Sequence, residues 1–140
     1  MSLLPSSIAS LHFLVVDDFQ SMRVVLSAQL KLLGVSRVSF ATSGNDAFKL
    51  IKEAQITAHP VQFVITDLMM KNGSGIDLTR MIRADAVLAK LPILMISSMN
   101  DMDQVLEAVK TGVSDYIVKP WQEADLLKKI VGCIPKAPVK

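Results

Sequence analysis

The chain alternates short apolar runs with segments in which apolar residues recur at helical spacing. The runs FLVV, FVIT and ILMI show no alternation of apolar and polar positions, which is typical of strands covered by helices on both faces. We predict strands over residues 13–17, 37–41, 62–67, 93–97 and 115–118, with the weaker second strand at an edge. This order of elements predicts βα units around a parallel sheet.

The segments between the strands carry apolar stripes that predict helices. The first stripe stops at Gly34, a residue type that often ends helices, and Asp101 is a candidate N-cap of a later helix. Right-handed crossovers connect such units into a doubly wound sheet. The sequence therefore predicts an α/β fold with a doubly wound, five-stranded parallel sheet.

The length of 140 residues, with 51% apolar and 20% charged residues, fits one globular domain. We expect an N-terminal extension over 1–11, in part vector-derived, a domain over 12–134, and a tail or the start of a linker over 135–140. The 15 basic and 13 acidic residues are scattered along the chain. The composition therefore does not indicate binding to nucleic acid.

The cysteine content and the N-terminus bear on the compartment. A single cysteine, Cys133, excludes an internal disulfide, and no cluster of cysteine and histidine predicts a metal site. The N-terminus lacks the positive start of a signal peptide, and no apolar run reaches the ~18 residues of a membrane span. We expect a cytoplasmic protein that does not bind a membrane.

Reactive side chains follow the predicted strands at the edge where doubly wound sheets bind ligands. Asp17 and Asp18 end the first strand, Asp67 the third and Ser97 the fourth, and Lys119 follows the fifth. Three converging carboxylates repel one another unless a cation joins them, and an all-oxygen site with few protein ligands suits Mg²⁺. A phosphoryl group would complete such a site.

One aspartate of this set could act as a nucleophile toward phosphorus, because carboxylates form aspartyl phosphates in other proteins. The hydroxyl of Ser97 and the ammonium of Lys119 are suited to receive the phosphoryl oxygens. No GxxxxGK[ST] motif occurs in the chain. We therefore expect the donor to be a phosphorylated protein or a small phosphodonor rather than bound ATP.

Several motifs in the right order resemble those of CheY-like receiver domains of two-component response regulators, over about residues 12–134. VVDDFQSMR is similar to the family's acidic pair after the first strand, and FVITDLMM to its phosphoacceptor strand. IRAD and LPILMISS resemble the third helix and fourth strand, and DYIVKPW the lysine-proline motif. The resemblance implies a flavodoxin-like (βα)5 fold with strand order 2-1-3-4-5 and a role in phosphorelay signalling.

The resemblance also implies a metal site and an acceptor. Asp67 would accept the phosphoryl group. Asp18, Asp67 and the backbone carbonyl of Met69 would hold Mg²⁺, with Asp17 acting mainly through a water on the ion.

A further set of residues is implied as a switch. Ser97 would bond a phosphoryl oxygen, with Lys119 as its charge partner, and Tyr116 would change rotamer. Lys119–Pro120 would be a cis peptide, which is uncommon among X–Pro bonds. Phosphorylation would then alter the face formed by the fourth helix, the fifth strand and the fifth helix of the family fold.

The resemblance implies partners as well. A sensor histidine kinase or a phosphotransfer protein would supply the phosphoryl group, and an output partner or a C-terminal domain would respond. A phosphorylation-dependent homodimer is a further alternative. We expect self-phosphorylation and self-dephosphorylation chemistry rather than turnover of other substrates.

The chain departs from the family pattern after Asp67. Lys71 replaces a proline and Ser74 replaces a second aspartate, although Gly75 is retained. We expect a looser loop and an added charge near the phosphate. Met69 lies two residues beyond Asp67, as Met99 does beyond Ser97, and in the family these two positions influence how long the acyl phosphate lasts.

Other interpretations stay open from the sequence. The acidic pair could be only a helix cap. A phosphatase of the haloacid dehalogenase type would carry Asp-x-Asp, a flavin-binding flavodoxin would carry small hydroxyl residues at the first strand end, and a receiver could bind partners without phosphorylation. We predict that Trp121 is core or partly buried, that Cys133 is inert, and that His12 and His59 are surface residues.

Overall fold

Five strands and six helices alternate along residues 3–134, which are the residues that the structure, a computed structural model, describes. The predicted tail over 135–140 lies outside the described residues. The elements are α1 (Ser6–Ala9), β1 (His12–Val16), α2 (Gln20–Leu32), β2 (Arg37–Ala41), α3 (Gly44–Ala54), β3 (Phe63–Asp67), α4 (Gly75–Ala84), β4 (Ile93–Ser97), α5 (Met102–Thr111), β5 (Asp115–Val118) and α6 (Glu123–Cys133).

The strands form one parallel sheet in the order β2-β1-β3-β4-β5. This confirms the predicted doubly wound flavodoxin-like fold and places β2 at an edge. The three central strands are buried along their whole length, whereas β2 is mostly accessible. The unbroken apolar runs in the sequence correspond to strands that helices cover on both faces.

Side chains on alternate positions of β1 enter two separate cores, because successive strand residues point to opposite faces. Phe13 and Val15 pack with residues of α2 and α6, and the Phe13 and Phe63 rings stack with centroids 4.7 Å apart. Leu14 and Val16 pack with residues of α3 and α4. Within residues 3–134, no helix is both long and apolar enough to span a membrane.

The N-terminal segment contains a short helix that the sequence pattern does not predict. Leu4 and Ile8 are buried in the same core as α2 and α6. The backbone N–H of Leu4 donates to the carbonyl of Leu33 at 3.0 Å. The segment before β1 thus covers part of this core.

The prediction that His12 is a surface residue is wrong, whereas His59 is exposed as predicted. His12 begins the central strand β1, so strands on both sides cover it. Its Nδ1 lies 2.9 Å from the carbonyl of His59 and its Nε2 lies 2.7 Å from Ser39 Oγ. These contacts satisfy both ring nitrogens, which a buried imidazole requires.

Trp121 and Cys133 have the environments that the sequence predicts. Trp121 is partly buried against the core of α2 and α6. Cys133 is buried, and desolvation raises the pKa of its thiol to about 12. A thiol with so high a pKa stays protonated and is a poor nucleophile.

Candidate functional site

Three carboxylates meet where β1 and β3 end. Oxygen atoms of Asp17, Asp18 and Asp67 all lie within 4.8 Å of one another. The register explains the meeting, because Val16 of β1 pairs with Thr66 of β3 and the next residue of each strand is an aspartate. The sheet topology thus brings together residues that lie 50 positions apart in the sequence.

The acidic pair does not serve as a helix cap. The N-cap position of α2 is Phe19, and this helix has no side-chain cap. Asp17 Oδ1 accepts the backbone N–H of Phe19 at 2.9 Å, and the Asp17 carbonyl accepts from Arg23 Nη1 at 2.7 Å. These bonds fix the backbone and one oxygen of Asp17, so the interpretation of the pair as a cap alone loses its support.

Among the described residues, three buried side-chain oxygens lack a hydrogen-bond partner: Asp17 Oδ2, Asp18 Oδ1 and Ser97 Oγ. All three belong to residues of the predicted site. A buried polar atom without a partner is costly, and such atoms commonly mark the place of an ion or a ligand. The oxygen donor set and the free lone pairs therefore fit a Mg²⁺ ion.

Burial opposes ionisation of Asp17 and Asp67. Desolvation raises the pKa of Asp17 and of Asp67. Repulsion from Asp18 raises the pKa of Asp17 further, and repulsion from Asp17 raises the pKa of Asp67 further. The Lys119 ammonium lowers the pKa of both, because its positive charge favours the ionised forms. Lys119 Nζ lies 3.5 Å from Asp67 Oδ2, so the chain supplies part of the positive charge that this site needs.

Ser97 and Lys119 are tied to each other through the backbone. The N–H of Lys119 donates to the carbonyl of Ser97 at 2.8 Å, which continues the pairing of β4 with β5. Ser97 is fully buried, whereas Lys119 is about one-third exposed. The peptide bond between Lys119 and Pro120 is cis, as predicted.

Tyr116 lies on β5, outside the group of carboxylates. Its ring packs against a small apolar cluster that includes Met95 and Ala108. Lys129 Nζ lies 5.3 Å from the ring centroid, a distance that allows a cation–π contact. The side chain is half-buried at the face formed by α5, β5 and α6.

The segment after Asp67 is tied to its neighbours, although the sequence suggests a looser loop. Asn72 and Gly73 adopt positive φ values of 58° and 104°, and the Gly73 carbonyl accepts from the Gly44 N–H at 2.9 Å. Ser74 forms a capping box with Asp77 at the start of α4. The residue that replaces the family's aspartate thus performs a structural task.

Gly75 and Met69 occupy opposite environments in this segment. A Cβ atom at Gly75 would overlap the backbone carbonyl of Asp67, so the retained glycine allows α4 to approach the end of β3. The Met69 side chain is exposed.

The backbone N–H of Lys71 donates to Asp18 Oδ2 at 3.4 Å, which links this segment to the acidic pair.

Two contacts near the site escape sequence analysis. Ser98 forms a capping box with Asp101, whose Oδ2 accepts from Ser98 Oγ at 2.8 Å. Asp101 thus occupies the predicted N-cap position of α5, but its side chain bonds Ser98, at the start of the preceding 3₁₀ helix (Met99–Asp101), and does not cap α5. The second contact is a hydrogen bond from Trp121 Nε1 to Gln29 Oε1 at 3.0 Å. Gln29 and Trp121 lie 92 residues apart, so this second contact leaves no local pattern in the sequence.

Comparisons with a family model and with curated relatives indicate the same family for this chain. A family model described as the response regulator receiver domain matches residues 13–131. The chemotaxis protein CheY-3 of Vibrio cholerae is 38% identical, with 86% of this chain and 89% of the relative covered. The chemotaxis protein CheY of Pseudomonas aeruginosa is 36% identical, with 86% and 93% covered.

Solved structures agree with the fold. A response regulator receiver domain protein from Clostridium thermocellum superposes with a TM-score of 0.77 at 25% identity, with 88% of this chain and 93% of the other covered. The chemotaxis response regulator CheY4 of Vibrio cholerae gives a TM-score of 0.75 at 26% identity, with 89% and 99% covered.

Proposed function

This chain belongs to the response regulator receiver domain family, and from that membership we propose that it accepts a phosphoryl group on Asp67 in a Mg²⁺-dependent reaction. The observation that carries the proposal is the group of buried, partnerless oxygens of Asp17, Asp18 and Ser97 beside Asp67. Such oxygens are suited to bind a cation and a phosphoryl group. We infer that the phosphorylated form controls an output partner or a linked domain.

Mg²⁺ would be held by Asp18, Asp67 and the backbone carbonyl of Met69, with Asp17 acting mainly through a water. When bound, the ion supplies positive charge that offsets the repulsion among the carboxylates and stabilises charge on phosphoryl oxygens. Asp17 and Asp18 offer a free oxygen each for this purpose. The other oxygen of Asp17, Oδ1, accepts the backbone N–H of Phe19, and this bond holds the carboxylate in place.

In the proposed transfer, an oxygen of the Asp67 carboxylate forms a bond to phosphorus while the bond from phosphorus to the leaving group breaks. The leaving group is a histidine ring nitrogen when a sensor histidine kinase or phosphotransfer protein is the donor, and acetate when acetyl phosphate is. Lys119 lies beside Asp67 and balances charge on the transferred group. Positioning and electrostatic stabilisation are the main sources of catalysis in such transfers.

Ser97 and Lys119 are proposed to link phosphorylation to a change of surface. The Ser97 hydroxyl is buried without a partner and can donate to a phosphoryl oxygen, a contact that exists only in the phosphorylated state. A differential contact free energy of ~2.7 kcal/mol shifts a two-state equilibrium about 100-fold. Tyr116 would change rotamer in the same transition.

The surface that changes is proposed to be the face of α5, β5 and α6. Exposed Met102, Leu106 and Val109 form an apolar stripe along α5 that a partner could bury. Both curated relatives are named chemotaxis proteins, which makes a chemotaxis component one candidate partner. Amide chemical shifts of residues 99–121 should change when a phosphoryl analogue binds, and unchanged shifts would contradict the switch.

The deciding experiment is intact-mass spectrometry after incubation with acetyl phosphate and Mg²⁺. We expect one phosphate adduct on the native chain, none on Asp67→Asn, and none with EDTA. Asp103→Asn, which changes an exposed carboxylate on α5, is the matched control and should retain the adduct. Absence of the adduct from the folded native chain would favour a receiver that works without phosphorylation.

A further inference from the structure

The side chains of Gln29 and Trp121 join two parts of the chain that flank the proposed site. Gln29 lies on α2, the helix that follows Asp17 and Asp18, and Trp121 lies two residues after Lys119. The indole Nε1–H donates to Gln29 Oε1 at 3.0 Å. We propose that Gln29, acting through Trp121, is a positioning residue that holds Lys119 against Asp67.

The backbone around Lys119 explains why a second anchor is needed. On the N-terminal side, the Lys119 N–H is bonded to the Ser97 carbonyl. On the C-terminal side, Pro120 has no N–H to donate and its side chain is exposed. Trp121 is therefore the next residue along the chain that is fixed to the body of the domain.

Packing alone leaves the Lys119 side chain room to move. A cavity of about 210 Å³ that is open to solvent lies between α2 and the segment after β5. It is lined by Met22, Val25, Gln29, Lys119, Pro120 and Trp121. Side chains that border a cavity lack van der Waals partners on that side and are held less firmly. The hydrogen bond between Trp121 and Gln29, which both border this cavity, is directional, so it restricts the indole more than packing alone does.

The consequence concerns the distance between Lys119 and Asp67. At 3.5 Å the pair is at the long end of hydrogen-bond distances, so a small displacement of the segment would break it. Loss of the Gln29 bond would release Trp121 toward the cavity, and the Lys119 ammonium would move away from Asp67. The effect on phosphoryl transfer rests on the proposed function, whereas the effect on the position of Lys119 does not.

The first test measures the position of Lys119 without any phosphorylation. Limited acetylation of the intact protein, resolved by site with mass spectrometry, reports the accessibility of each lysine amine. Gln29→Leu should raise the acetylation rate of Lys119 about fivefold, the size of effect expected for one neutral hydrogen bond. Lys52 of α3, which pairs with Asp85 at 2.6 Å, is the internal reference and should not change.

A double-mutant cycle tests whether Gln29 acts through Trp121. Trp121→Phe removes the donor, so Gln29→Leu should have no further effect on Lys119 in that background. Gln20→Leu, a change of another glutamine of α2 that is exposed, is the matched control. Equal Lys119 reactivity in the native chain and Gln29→Leu, or a full effect of Gln29→Leu without the indole, would overturn the proposal.

The second test measures the rate of phosphorylation by acetyl phosphate at saturating Mg²⁺. The maximal rate should fall about fivefold in Gln29→Leu, whereas Mg²⁺ affinity should be retained because Gln29 does not contact the carboxylates. If the native chain is not phosphorylated, the proposed function fails, while the acetylation of Lys119 still decides the role of Gln29. Circular dichroism confirms that each variant is folded.

Discussion

The Lys119 side chain reaches across a whole strand to Asp67. Lys119 follows β5 and Asp67 ends β3, with β4 between them, yet Nζ and Oδ2 lie 3.5 Å apart. The ammonium lies beside three carboxylates, and the Arg23 guanidinium also favours ionisation of Asp17, yet the pKa of Asp17 and of Asp67 is raised. The domain thus holds a cluster of negative charge that its own residues neutralise only in part.

The first prediction concerns the stability cost of Asp67. Burial raises the pKa of this carboxyl above its unfolded value, so the folded state favours the protonated form. The contribution of Asp67 to the free energy of unfolding is therefore favourable below the unfolded pKa and is lost as pH rises through the folded pKa. Asp67→Asn should therefore stabilise the domain at neutral pH, on the order of 1 kcal/mol or ~3 °C in Tm. Thermal melts with EDTA at neutral and acid pH measure this difference.

The gain should shrink as the solution is acidified, because the native carboxyl then becomes protonated. Glu53→Gln removes an exposed carboxylate of α3 and should change Tm little. An increase in Tm from Asp67→Asn that persists unchanged at acid pH, or an equal increase from Glu53→Gln, would show that the buried charge of Asp67 does not destabilise the domain.

The second prediction concerns Mg²⁺ as a ligand of the folded state. A ligand at about 100 times its Kd stabilises the fold by ~2.7 kcal/mol. Adding Mg²⁺ to the native chain should raise Tm, and removing it with EDTA should reverse the rise. Asp18→Asn should lose most of this response, since Asp18 Oδ1 is one of the free oxygens. An undiminished response in Asp18→Asn would place the ion elsewhere.

The third prediction compares two adjacent serines. The Ser97 hydroxyl is buried without a partner, so Ser97→Ala should leave stability unchanged or improve it, while weakening the response to a phosphoryl analogue. Ser98 forms the capping box with Asp101, so Ser98→Ala should cost about 1 kcal/mol. Denaturant unfolding of both variants measures the contrast, and the opposite order of stabilities would contradict the assignments.

The fourth prediction uses two glycines in helices. Gly75→Ala places a Cβ on the backbone carbonyl of Asp67 and should destabilise the domain by about 2–4 kcal/mol. Gly132→Ala meets open space among the described residues, so it should stabilise α6 by about 0.5–1 kcal/mol. Chemical denaturation distinguishes the two. Similar effects would mean that the close approach of α4 to β3 relaxes at little cost.

The fifth prediction concerns the lifetime of the acyl phosphate. Exposed Met69 follows Asp67 by two residues, and an apolar side chain there should hinder attack by water. Met69→Asn should speed loss of the phosphate about threefold or more, whereas Met69→Leu should not. Phosphate release from the phosphorylated chain measures the rate, and an unchanged rate in Met69→Asn would dismiss this role.

Much of the fold and the grouping of the site can be predicted from the sequence because both rest on regular patterns. Buried parallel strands give unbroken apolar runs, and the ends of neighbouring strands meet at one edge, so Asp17, Asp67 and Ser97 could be placed together. The burial of His12 and the N-terminal helix could not be predicted. Each depends on long-range packing that a short segment does not encode.

The same limit applies to the contacts that adjust the site. Gln29 and Trp121 lie 92 residues apart, and neither belongs to a motif that demands the other. The capping box of Ser98 and Asp101 is local, but the sequence pattern predicts Asp101 as the cap of the following helix. Sequence patterns thus find the reactive groups more readily than the residues that hold them in place.

The location of Trp121 has a practical consequence for following this domain in solution. It is the sole tryptophan of the chain, and its ring borders the same cavity as the Lys119 side chain. All indole fluorescence therefore originates beside the proposed phosphoryl site. Ion binding, phosphorylation and partner docking near Lys119 can be timed by this intrinsic emission, with no dye attached and no residue replaced.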